Sequence, residues 1–295
     1  MANKVWIGRD PTNEGDYGTA ANWNPSGVPT NGDNVFFHPG GHAVTGSLNQ
    51  SSVTLGNVFV CWGFDAPIGY YTGPTPNYLQ LDADAVWYSG TGRSFLELRN
   101  GGGALDVHIE QAGSYNRTGM SNLYITTDGS STIGTLSCRA GHVCVGGFGD
   151  DPSQTVAHVR STGRNSTVVI GDVVTATNVH VDAGNVRSES ANTHALVEQG
   201  GGSFTMYGQG AITALQTAGG TSTLFGGGTV TTATVLGSGR LSAVDGDSRT
   251  ITTLVMQPGP RGAAQPQASI DPDVTTVTNF TMGNGYPVRM IAESI

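Results

Sequence analysis

Apolar and small polar residues alternate along this chain in short runs that end in glycine. A four-residue fragment recurs as I-T-A-L at Ile212, V-T-T-A at Val230, I-T-T-L at Ile251 and V-T-T-V at Val274, with steps of 18, 21 and 23 residues. Upstream, I-G-T-L begins at Ile133, V-A-H-V at Val156 and V-T-A-T at Val174, with steps of 23 and 18. The step of 38 from Val174 to Ile212 is a double one, and the looser stretch HALVEQGGGSFTMYG around Leu196 fills the missing turn. Alternation with a period of two sends one set of side chains inward and the other outward. Each run is too short for a helix, and Val, Ile and Thr favour strands. A single unit cannot bury its inner face. Stacked on a copy about 4.8 Å away, it closes its backbone hydrogen bonds and builds an apolar column. The spacing predicts an all-β chain: a single-stranded, right-handed parallel β-helix of roughly ten to twelve coils, about 50 Å long at the strand spacing. The competing architecture, an antiparallel sandwich, requires hairpin turns between alternating strands.

The period organises the rest of the chain. Residues 34–285 are read as the coils, with irregular loops near 61–76, which is aromatic, and 257–273, which is rich in Pro and Gly. A stack has two open ends of unpaired backbone, and ends of that kind need covering. Residues 1–33, with Trp6 and Trp23, are the expected N-terminal cap, and residues 286–295 the C-terminal one.

Composition narrows the class. Charged residues make up 12% of the chain and there are 45 glycines, the balance of an all-β protein with many tight turns. Net charge is −9 and Lys4 is the single lysine, so no basic stripe exists to neutralise phosphates and no nucleic-acid partner is expected. Three cysteines, Cys61, Cys138 and Cys144, argue against a disulfide framework and for synthesis in a reducing compartment. The opening residues show no apolar secretory signal, and no stretch approaches the ~20 apolar residues of a membrane span. No membrane partner is expected.

Candidate chemistry is thin. Asp150 and Asp151 are adjacent, and neighbours on a strand point to opposite faces, so a solvated turn is expected rather than an acid–base pair. The GGFGDD stretch at residues 146–151 matches the start of a calcium-binding nonapeptide but has no tandem copy. Asp245, Asp247 and Arg249 alternate and are read as an outward charged corner. His38 and His42 flank a Pro-Gly-Gly turn, and two ligands do not make a metal site. His142, His158 and His180 are spaced by about one coil and are expected to stack on one outer face. Neither a metal nor a cofactor is expected.

The opening carries a resemblance. It reads W-I-G from Trp6, then AANWNPSGVPTNGDNVFF over residues 20–37, then VTGSLNQSSVTL over residues 44–55. It resembles a family of phage-encoded virion proteins, and the later V-T-T-L coils followed by Gly-Gly match that family in style. The resemblance implies a β-helical protein on the particle surface, homotrimeric, with the major capsid protein as its partner. The expected function is therefore structural: a capsid decoration or cement protein without catalysis, assembled in the host cytoplasm and resident in the virion. Trp6, Trp23, Phe36 and Phe37 are the candidate capsid or subunit contacts, with plain packing of the cap as the alternative role. The competing function is a tailspike-like glycan depolymerase, which requires carboxylates clustered beside an aromatic floor, or a non-enzymatic host-glycan adhesin, which shares its sequence features with a cement protein.

Overall fold

The computed structural model describes residues 2–73, 76–113, 121–148, 151–257 and 265–283, and the backbone of residues 289–292. Among the described residues the chain is all-β, with a 3-10 turn at Ala20–Asn22 and no α-helix. It divides into two units, Met1–Val156 and Ala157–Ile295.

The first unit contains β1 (Asn3–Trp6), β2 (Trp23–Asn24), β3 (Asn34–Phe37), β4 (Asn49–Val60), β5 (Tyr70–Tyr71), β6 (Pro76–Asn77), β7 (Leu79–Tyr88), β8 (Ser94–Arg99), β9 (Ala104–Ile109), β10 (Leu123–Thr127) and β11 (Thr132–Val145). One column of parallel strands runs β1, β3, β4, β7, β9, β11. A second runs from the start of β7 through β8 and β10 to the end of β11. Alternation decides which side chains meet. Val35, Val58, Val86, Val107 and Leu136 stand in register on successive strands, and all are fully buried. Burying each such side chain contributes about 1.5–3 kcal/mol. Antiparallel pairing among the described residues is confined to β1–β2 and β5–β6.

The second unit follows the boundary within β12 (Gln154–Ile170). It holds β13 (Val174–Val181), β14 (Asn185–Ser188), β15 (His194–Gln199), β16 (Ser203–Met206), β17 (Ile212–Thr217), β18 (Thr221–Leu224), β19 (Val230–Leu236), β20 (Arg240–Ala243), β21 (Arg249–Gln257), β22 (Gln267–Ile270), β23 (Thr275–Met282) and β24 (Arg289–Ala292). Each strand pairs, in parallel, with the next but one. The even-numbered strands β12 to β24 form one column and the odd-numbered strands β13 to β23 the other. One turn of chain therefore supplies one strand to each column. Val197, Leu215, Ala233 and Leu254 stand in register and are buried.

The interior is not wholly apolar. Gln199, Thr217 and Ser222 point inward and satisfy one another: Gln199 Nε2 donates to the Gly202 and Thr221 carbonyls at 2.9 Å each, Thr217 and Ser222 share a hydroxyl bond of 2.7 Å, and Ser222 donates to Gln199 Oε1. His194 is fully buried and takes the place of the missing apolar residue, in register with Ile212. Its Nδ1–H donates to the Ala176 carbonyl at 2.6 Å, which leaves Nε2 to accept from the Ser188 hydroxyl at 2.8 Å.

Burial holds the His194 pKa below the usual imidazole value, against the opposing effect of the Ala176 bond. The unfolded chain binds a proton near pH 6.5 while the folded chain does not, so stability falls as pH drops through that window. His142 is lowered by burial in the same sense. The melting temperature is expected to decline from pH 7.5 to pH 5.5, and His194→Gln is expected to flatten that decline. An identical slope in the variant contradicts the assignment.

The structure corrects several expectations of organisation. Ile251 stands in register with Val277, not Val274, because a turn closed by Thr275 N–H donating to Asp271 O (2.8 Å) delays the strand. Residues 61–76 do not wholly leave the stack: Ile68 is buried and bridges in parallel to Val44 and Ser94, and the excursion is the β5–β6 hairpin that follows. Residues 257–273 contain β22, which pairs with β20; residues 258–264 lie outside the described ones. Within residues 286–295, β24 extends the even-numbered column, while 286–288 and 293–295 lie outside the described residues. Phe280 and Met282 on β23, in register with buried Leu254 and Met256, are themselves exposed.

Candidate functional site

The opening motif folds around a buried asparagine. Asn22 is fully buried: its Nδ2 donates to the Asn13 and Asp16 carbonyls (2.8 and 2.9 Å), and its Oδ1 accepts from Asp10 N–H (2.7 Å). That frame holds Trp23 edge-on to Tyr17 (4.6 Å between centroids) and to Trp6 (5.1 Å). Trp6 Nε1 donates to the His42 carbonyl and Trp23 Nε1 to the Tyr17 carbonyl, both at 2.8 Å. Asp33, of the Gly-Asp pair, accepts from Ala2 N–H (2.7 Å) and from Thr30 N–H and Oγ1–H (3.0 Å each). Burial alone would raise its pKa; these bonds outweigh it and hold the carboxyl below its ordinary value.

Trp6 and Phe37 are fully buried, and Trp23 is 2% exposed. Side chains so buried present no surface to a partner, so of the four expected contacts these three pack against one another inside the chain. Phe36 is different. It points outward and begins a stripe that the register carries across four consecutive strands: Phe36, Phe59, Trp87 and His108. Phe36 and Phe59 stack at 4.7 Å and 9°, and Trp87 and His108 at 4.0 Å and 22°. Trp87 is 40% exposed. Three members of the stripe escaped the sequence reading. The signal was present as four triplets, VFF, VFV, VWY and VHI, each an aromatic ring between two inward apolar residues; their uneven spacing hid it.

A second feature lies on the outer face of the other column. Asn49, Gln80, Glu97 and Thr126 are register partners on β4, β7, β8 and β10, and they floor an open cleft of about 370 Å³. Glu97 Oε2 accepts from Gln80 Nε2 (3.1 Å), and Glu97 Oε1 from Arg99 Nε (2.9 Å). One wall is Tyr78, whose hydroxyl donates to Asp151 Oδ1 at 3.0 Å. Burial, then the nearby Asp151, drives the Tyr78 pKa far up, so the phenol remains a donor. Asp151 also closes its own turn, accepting from Phe148 N–H at 3.2 Å. It is 7% exposed, which corrects the expectation of a solvated turn; Asp150 lies outside the described residues. Behind this wall Tyr71, Phe95, Tyr124 and Phe148 pack ring against ring at 5.1–6.5 Å.

The remaining flagged residues separate. Arg249 turns inward, 4% exposed, and Nη2 donates to the carbonyls of Phe225, Asp245 and Asp247. It is a corner clamp and not part of an outward charged face. His38 packs against Phe36 while His42 bonds Glu14, so they do not converge. His158 and His180 do stack, at 6.3 Å, with His180 on Glu198 at 2.8 Å, but His142 bonds Ser121 instead. No disulfide joins the cysteines, and burial pushes the Cys138 thiol up to about 12. No family model matches this chain, and neither a curated protein nor a solved structure matches it.

Proposed function

We propose that this chain is a right-handed parallel β-helix with a structural role, a homotrimeric protein that decorates the surface of a phage particle and carries no catalytic step. Parallel pairing of every strand with the next but one in the second unit supports the architecture. The observation that carries the role is the outward stripe Phe36–Phe59–Trp87–His108. The odd-numbered column of the second unit carries small polar residues at outward positions such as Thr232 beside Thr253. Two stacked ring pairs in one row on the solvent side of a sheet have the composition of an interface core. The stripe runs across the strands, so it offers a straight, rigid contact to an identical flank of a sister copy.

The mass of the purified protein in solution tests the oligomer. A trimer is expected, and Trp87→Ala with Phe59→Ser is expected to shift it to monomer with little change in secondary structure. A monomeric parent overturns the stripe as a subunit contact. Quantitative mass spectrometry of purified particles from the producing lysate tests the location. A shell-wide copy number supports decoration, and absence of the chain from the particles overturns it.

A further inference from the structure

We propose that the cleft over Glu97 and Asp151 is a binding site for an uncharged sugar unit, independent of the aromatic stripe. The floor residues Asn49, Gln80, Glu97 and Thr126 come from four successive strands, so the backbone ladder fixes their spacing and the site is built on a rigid element. Its volume, about 370 Å³, falls in the range of small-molecule pockets.

The chemistry of the lining selects the ligand. Glu97 and Asp151 are each held in place by donors from the protein, yet a carboxylate oxygen accepts more than one hydrogen bond. The carboxylates of Glu97 and Asp151 line the cleft as acceptors, so this site asks for donors. Pro76 and Pro152 line the same cleft and supply apolar surface, and Tyr71 stands 41% exposed in the ring cluster behind Tyr78. A ligand with hydroxyl donors around its edge and C–H groups on its faces answers both demands; a pyranose has that form. The net charge of the lining sets a further condition. No cation lines the cleft among the described residues, and Arg99, outside the lining, is engaged by Glu97, so acidic sugars are repelled. No group of three or more His, Cys, Asp or Glu residues able to hold a metal occurs among the described residues, which favours a polyol over a cation as occupant.

The test is ligand-observed saturation-transfer NMR on the full chain. The probes are glucose, galactose, mannose, N-acetylglucosamine and their β-1,4-linked disaccharides, with glucuronate as the acidic control and calcium as the cation control. At least one neutral probe is expected to bind with a dissociation constant on the order of 1 mM, and glucuronate is expected to show no transfer. Glu97→Gln and Asp151→Asn are each expected to weaken binding at least about tenfold. Asn49→Tyr, at an exposed floor position, is expected to block the cleft without disturbing either carboxylate, so the conclusion survives if a carboxylate variant fails to fold. Silence from every neutral probe overturns the proposal. So does equal binding of glucuronate, calcium displacing the sugar, or unchanged binding in Asn49→Tyr. Trp87→Ala is expected to leave sugar binding intact, so failure here and failure of the structural role are read separately.

Discussion

Gly202→Ala is expected to unfold the second unit at a temperature roughly 10–15 °C below the parent, a loss of about 4 kcal/mol. Gly184, Gly202 and Gly220 lie 18 residues apart and all take positive φ, +75°, +64° and +71°. They form a column of corners just ahead of β14, β16 and β18. A β-carbon at Gly202 would overlap the carbonyl oxygen of Gly184, and one at Gly220 that of Gly202. The left-handed torsion alone costs a non-glycine residue about 1–2 kcal/mol. The overlap adds more, because backbone on one turn cannot retreat without breaking register with the next. Gly102→Ala separates the two effects. Gly102 has φ +83° with nothing near its missing β-carbon, so only the torsional cost applies. Thermal melts followed by circular dichroism check both; equal losses in the two variants would show that stacking at the corner is immaterial.

Trp6→Ala should destabilise the first unit by about 3–5 kcal/mol, the range for emptying a large aromatic site. Trp6 touches Tyr17, Trp23 and Phe37 at centroid distances of 6.1, 5.1 and 6.4 Å, and its indole N–H is satisfied by the His42 carbonyl. Removing it opens a cavity at the end of the β1–β3 pairing and leaves that carbonyl without its donor. The measurement is a denaturant melt monitored by the remaining tryptophans. Trp23→Ala is expected to behave similarly, since Trp23 is wedged between the same rings. A variant that melts like the parent while losing association would reverse the assignment and make Trp6 an interface residue. Phe36→Ala has the opposite profile: a small change in melting and a loss of self-association, because Phe36 contacts Phe59 and solvent rather than the interior.

The two predictions mark where the linear pattern was readable. The recurring V-T-T-A fragments located strands β17, β19 and β21 correctly, because a period-two alternation on a parallel ladder has one consistent register. It failed at β23, where a local turn bonded through Asp271 inserts residues that no periodicity reveals. It also passed over His194, since an imidazole in an apolar column is recognisable only when the Ala176 and Ser188 partners that satisfy it are seen. The four candidate contacts show the same division. Val-Phe-Phe at residues 35–37 announces alternation, but which phenylalanine faces inward depends on whether Val35 joins the buried column, and it does.

By itself, the sequence determined the local features of this protein: strand rather than helix, from β-branched alternation, and tight corners, from glycine. These depend on neighbours within a few residues. The tertiary structure alone decided what lies side by side across turns of unequal length. It brought Glu97 and Asp151 into one cleft, aligned Phe36 with Phe59, Trp87 and His108, and turned Arg249 inward. The physical reason is that lateral register is set by hydrogen bonds between strands, and the number of residues in the connecting loops leaves no trace in it.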